Sequence, residues 1–155
     1  MSENLKIIHS KLAYLALMKS DVEHSLKKMP GPLSKIKQDA IKSLSPDERE
    51  TISAFTTRFA NYQEHLGKTM RGIAIEEESA TSPFGSILAL MEKLGILTDA
   101  EKWKQVRDLR NAANHEYESN PKELFQILEK MVKSADFLSS THDKISAFVQ
   151  RAYQL

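Results

Sequence analysis

A chain of 155 residues, 41% hydrophobic and 28% charged, falls in the range of one globular domain able to bury a core. It has no cysteine, which excludes disulfides, thiolate zinc sites and a cysteine nucleophile, and fits a reducing, cytoplasmic setting. The net charge of +1 is too low for a protein that coats nucleic acid by neutralising phosphates, so any RNA handling is local or shared with a partner.

Leu5, Ile8, Leu12, Leu15, Val22 and Leu26 fall at three- and four-residue steps, with the cycle passing through Lys19. This spacing predicts a helix over about residues 3–28. Its apolar run Leu12 to Met18 is far short of a membrane span. The pattern continues past it among Asp21 and Glu23 with no small-residue cleavage site, so it reads as a helix of the mature protein. Pro30-Gly31-Pro32 is expected to end this helix, and residues 34–43 to form a short basic one.

Ser45-Pro46-Asp47-Glu48 is a helix start: Ser45 caps, Pro46 suits the first turn and Glu48 completes a capping box. Ile52, Phe55, Phe59, Tyr62, Leu66 and Met70 then give the stripe of a second long helix. Glu76-Glu77-Glu78 and Ser79-Ala80-Thr81 read as a frayed end and a solvated loop, not as a metal site. Ser82-Pro83 opens a shorter apolar helix that Gly95 is placed to terminate. Thr98-Asp99-Ala100-Glu101 is expected to act as a capping box for the helix carrying Trp103, Val106 and Leu109. Asn120-Pro121-Lys122-Glu123 opens the last helical region, with a break expected near Ser139-Ser140-Thr141. No stretch alternates as a strand would. The expected architecture is all-α, a single domain over 1–155, with four or five main helices in an up-and-down bundle.

The most informative stretch is 107–117, Arg-Asp-Leu-Arg-Asn-Ala-Ala-Asn-His-Glu-Tyr. At about 100° per residue, Asn114 and Tyr117 lie within about 40° of Arg110, Asn111 at about 100° and His115 at about 140°. Val106, Leu109, Ala112 and Ala113 are expected to face the bundle. An ordinary polar face or a salt-bridge network is the bland reading of the cluster. Asn is a poor helix former, however, and a merely solvated face gains nothing from two of them. Arg110 offers five N–H donors to a phosphate, and the His115 imidazole suits acid or base work near neutral pH. Asn111 and Asn114 would position the imidazole or the phosphate. Tyr117 has a plain structural alternative, packing at a seam. His9, His24, His65 and His142 are read as scattered surface residues, and Trp103 and the methionines as core or interface. There is no Gly-rich phosphate loop, Ser-His-Asp pattern or zinc-finger spacing.

Arg110-Asn111-Ala112-Ala113-Asn114-His115 resembles the hallmark of the HEPN superfamily, an Arg and a His separated by four to six residues, often with Asn after the Arg. The continuation His115-Glu116-Tyr117 is similar to the HepT-like toxins and the related nucleotidyltransferase substrate-binding proteins. The helix order over roughly 45–138 is similar as well. The resemblance implies a homodimer whose two motifs face each other across one RNA-cleaving groove. It implies a metal-independent endoribonuclease toxin, without cofactor, in a type VII-like toxin–antitoxin system. Arg110 and His115 would be catalytic, and a nucleotidyltransferase antitoxin would transfer AMP onto Tyr117. The same motif is also carried by non-catalytic substrate-binding or structural partners of nucleotidyltransferases, and an unrelated helical interaction protein is the third reading.

Overall fold

Capping and breaking residues set the helix boundaries. A computed structural model describes the backbone of residues 1–38, 41–116 and 120–155, and the side chains of those residues except 114–116. In chain order it contains α1 (Glu3–Leu26), α2 (Pro30–Lys37), a 3-10 turn (Ile41–Ser43), α3 (Pro46–Glu76), α4 (Phe84–Lys93), α5 (Ala100–Glu116) and α6 (Pro121–Tyr153). No strand occurs among the described residues. The all-α bundle expected from the sequence is therefore present, built on long α1, α3, α5 and α6 with α2 and α4 as short additions. None of these helices is long and apolar enough to cross a membrane.

The start of α3 follows its sequence signal. Ser45 Oγ accepts from Glu48 N at 3.1 Å, and Glu48 Oε1 accepts from Ser45 N at 3.0 Å. The Lys35 ammonium, 2.6 Å from the same carboxylate, and then the Ser45 N–H hold Glu48 below the usual carboxylate range. Asn120 caps α6 by accepting from Lys122 N and Glu123 N. At α5 the cap is Asp99, whose Oδ1 accepts from Glu101 N at 2.9 Å. The expected Thr98 box is thus displaced by one residue, because the Asp side chain adjacent to the first turn reaches the free N–H. Gly95 closes α4 at φ 77°, with Ile96 N donating to Met91 O and Gly95 N to Glu92 O.

Three local expectations need correction. Pro30-Gly31-Pro32 separates α1 from the next helix but itself forms the first turn of α2, where a missing N–H costs nothing. The basic helix is therefore α2, earlier than 34–43. At Ser139-Ser140-Thr141, α6 runs on without a break. The Thr141 hydroxyl satisfies itself on Phe137 O at 2.9 Å, one turn back, and needs no alternative backbone path. The acidic end of α3 is tied down rather than frayed. Glu76 accepts from Asn4 Nδ2 at 2.9 Å, and Glu77 from the Tyr153 hydroxyl at 3.0 Å, which joins the start of α1 and the end of α6 to it.

Glu78, just beyond, stands at φ 53° in the left-handed region. Its N–H donates to Ile75 O and that of Ser79 to Ala74 O, a helix closure in which glycine is the usual occupant. Holding an L residue there costs about 1–2 kcal/mol. Glu78→Gly is expected to raise the unfolding free energy by about 0.5–1 kcal/mol, after the added freedom of the unfolded glycine is subtracted. Urea unfolding measures it, and an unchanged or lowered midpoint would contradict the closure.

The core follows the stripes. Ile8, Leu15 and Val22 of α1 pack on the Ile52, Phe55, Phe59, Leu66 and Met70 face of α3. Gly72 lets the two helices approach, since a Cβ there would stand 3.1 Å from Ile8 Cγ1. In α6, Leu124, Leu128, Met131, Ala135, Leu138, Ile145 and Val149 are buried at alternating three- and four-residue steps, apart from one seven-residue gap. α5 lies against α6, α3 and α4, and this placement sets the surroundings of the motif.

Candidate functional site

Trp103, Val106, Arg110 and Ala113 share one side of α5, since steps of three and four residues return to the same face. Trp103, Val106 and Ala113 are buried there, while Leu109 and Ala112 are half-buried toward α6. The bundle-facing expectation holds for these apolar residues. Arg110, though, belongs to their side rather than to the outer face, and it is half-buried. Its Nη1 donates to Gln63 Oε1 of α3 at 2.8 Å. Gln63 is only 4% exposed, so its amide is fixed by packing and in turn fixes the guanidinium. A planar guanidinium has five N–H donors, and this bond leaves most of them for another acceptor.

Asn111 is exposed on α5. The side chains of Asn114 and His115, and all of Tyr117, lie outside the described residues. The α5 backbone is helical through Glu116, which sets positions 110 and 115 about 140° apart around its axis. A shared ligand requires the reach of the Arg side chain or a second copy of the helix.

Arg110 opens onto a groove of about 300 Å³ between α3 and α5. Sequence reasoning missed its other members. Arg107 joins Arg110 on the α5 wall, and Gly67, Lys68 and Arg71 form the α3 wall, with Glu64 as the one carboxylate. Phe84 at the start of α4 and buried Trp103 complete the lining. Arg71 is oriented by Thr81 O, to which its Nη1 donates at 2.9 Å, and its guanidinium lies 5.8 Å from the Phe84 ring centre. Gly67 leaves the floor open: a Cβ there would stand 3.4 Å from Trp103 Cζ2 and 3.6 Å from Phe84 Cζ. A larger cleft of about 570 Å³ between α5 and α6 is lined largely by Val106, Leu109, Ala112 and lysines. It lies on the other flank of α5 and receives neither Arg107 nor Arg110, so the smaller groove is the one linked to the motif.

Outside the groove, His142 departs from its surface reading. It is 6% exposed, and its Nδ1 lies 2.7 Å from the hydroxyl of fully buried Tyr62. His65 is half-buried, whereas His9 and His24 are exposed as expected. Burial, and then the nearby Lys19 cation, push the His142 imidazole below its ordinary pKa, so it is held neutral. Among the described residues no three His, Asp or Glu side chains converge as metal ligands would.

Fold and groove define an all-α helical bundle with an arginine-rich groove beside a polar motif helix. No family model, no curated protein and no solved structure matches the chain.

Proposed function

We propose that this chain is a metal-independent endoribonuclease of the HEPN type, acting as a homodimer and paired with a nucleotidyltransferase antitoxin. The observation that carries the reading is Arg110: the guanidinium that begins Arg-x4-His is held by buried Gln63 at the mouth of a cationic groove. RNA brings its own nucleophile. The 2′-oxygen forms a bond to phosphorus while the bond from phosphorus to the 5′-oxygen breaks. One imidazole takes the 2′-hydroxyl proton, and a second acid, His115 of the other protomer, gives a proton to the leaving 5′-oxygen. Arg110 stabilises the charge that builds on the in-line phosphate. The products are a 2′,3′-cyclic phosphate and a 5′-hydroxyl. AMP carried on Tyr117 would place a competing phosphate two residues from His115 and so block RNA.

The experiment is cleavage of end-labelled single-stranded RNA in excess EDTA. Wild-type protein is expected to cut and to leave cyclic phosphate ends, and His115→Ala is expected to fall to background. Equal cutting by both would remove His115 from the chemistry, and loss of wild-type cutting in EDTA would remove the metal-free mechanism.

A further inference from the structure

The groove carries more positive charge than the scissile phosphate calls for. Lys68, Arg71, Arg107 and Arg110 face one carboxylate, Glu64. Two of these charges have only loose partners, Lys68 with Glu64 at 3.7 Å and Arg107 with Asp108 at 3.6 Å. Arg107 and Arg110 are one turn apart on α5, and Lys68 and Arg71 are one turn apart on α3, so the cations form two facing rows. Between the rows lie Phe84, which is half-buried, and Trp103. Trp103 is 1% exposed, and its Nε1 is a buried donor with no acceptor among the described residues. The indole edge that bears Nε1 also bears Cζ2, the atom nearest the open Gly67 floor.

We propose that this groove is a nucleotide subsite for single-stranded RNA. It holds the phosphate next to the scissile one between Arg107 and Arg71, and an unpaired base lies against the Phe84 and Trp103 edges. The identity of the ligand as RNA rests on the ribonuclease reading. The groove's volume of about 300 Å³ is at the small end of ligand clefts, enough for one nucleotide and too small for a duplex. Only an unpaired base can present its face to aromatic side chains, whereas a duplex buries its faces in stacking. Arg71 and Arg107 act here as positioning residues, with Arg110 at the boundary between subsite and reaction centre.

Trp103 is the chain's single tryptophan, so its emission reports on this groove directly. The probe is a short single-stranded 2′-O-methyl oligoribonucleotide, which lacks the attacking hydroxyl and is not cut. Binding is expected to change Trp103 emission saturably. Arg71→Gln and Arg107→Gln are each expected to weaken it at least about tenfold and to lower the salt slope by about 0.7 for each phosphate no longer neutralised. Lys68→Gln removes an exposed charge from the rim without touching the core, and it is expected to lower the slope in the same way. The same sequence as a duplex is expected to bind more weakly. Unchanged affinity and slope in all three variants would overturn the subsite. So would oligonucleotide binding that leaves Trp103 emission unmoved, or duplex binding as tight as single strand. If the wild-type protein fails to cut RNA yet binds the oligonucleotide with these dependences, the ribonuclease reading falls and the subsite stands. If it cuts, and the groove variants bind and cut like wild type, the subsite falls alone.

Discussion

Arg110→Ala is expected to slow RNA cleavage by about 10²–10³-fold, the loss typical of removing a preorganised donor from a developing negative charge. The donor is preorganised here because Gln63 Oε1 takes Nη1 at 2.8 Å and aims the rest of the fork into the groove. Lysine keeps the charge but not the planar fork, so Arg110→Lys is expected to recover little of the rate. Gln63→Leu preserves the buried volume and removes only the anchor. It is expected to slow cleavage by about tenfold, the lower end of what a charge-assisted hydrogen bond supplies. Single-turnover rates with enzyme in excess over labelled RNA rank the three. Cleavage by Arg110→Ala at the wild-type rate would take the guanidinium out of the reaction. A Gln63→Leu loss as large as that of Arg110→Ala would mean that Gln63 itself touches the substrate.

Tyr62→Ala is expected to destabilise the fold by about 3–5 kcal/mol, the range for truncating a buried aromatic side chain. Tyr62 is 1% exposed in the α3 core stripe, and it meets His142 of α6 edge to face with ring centres 5.7 Å apart. Tyr62→Phe keeps the ring and removes the hydroxyl that lies 2.7 Å from Nδ1. It leaves a buried imidazole nitrogen unmatched and is expected to cost about 1–3 kcal/mol. The pair also sets a pH dependence. The imidazole is depressed in the fold by burial and by Lys19, so the unfolded chain binds its proton first. The His142 contribution is complete above the ordinary imidazole value of about 6.5 and is lost as pH falls through the lower folded value. Burial, with the Asp143 and Glu23 carboxylates adding to it, pushes the Tyr62 phenol up. Its contribution is therefore present below about 10 and is lost as pH rises through the raised folded value. Chemical denaturation between pH 5 and 8 measures the acid limb. His142→Gln is expected to flatten that limb, and an unchanged slope in this variant would assign it to another group.

Local chemistry was legible wherever a residue acts on its own chain neighbours. Ser45 with Glu48, Asn120 and Gly95 each mark a helix boundary within four residues, and the structure uses each of them. One misreading came from a polar residue inside an apolar stripe. His142 falls between Leu138 and Ile145 at steps of four and three, a core position that its polarity concealed. Gln63 follows Phe59 by four and precedes Leu66 by three in the same manner. Periodicity was the available signal for both; residue type misled at His142, and Gln63 was not singled out from the sequence. At Ser139-Ser140-Thr141, composition suggested a break, while the flanking stripe of Leu138 and Ile145 pointed to the continuous helix that forms.

The sequence by itself determined the long helices, the caps at Ser45 and Asn120, most of their apolar faces and the presence of Arg-x4-His, because each depends on spacing within about two turns. Only the tertiary structure decided that Arg110 meets Gln63, 47 residues away, and that Tyr62 meets His142, 80 residues away. It also decided that Arg71 and Arg107 face one another across a groove. Those pairings depend on which helices pack together and at what rotation. Core volume and the approach permitted by Gly72 govern that rotation, and neither is encoded in a helix read alone.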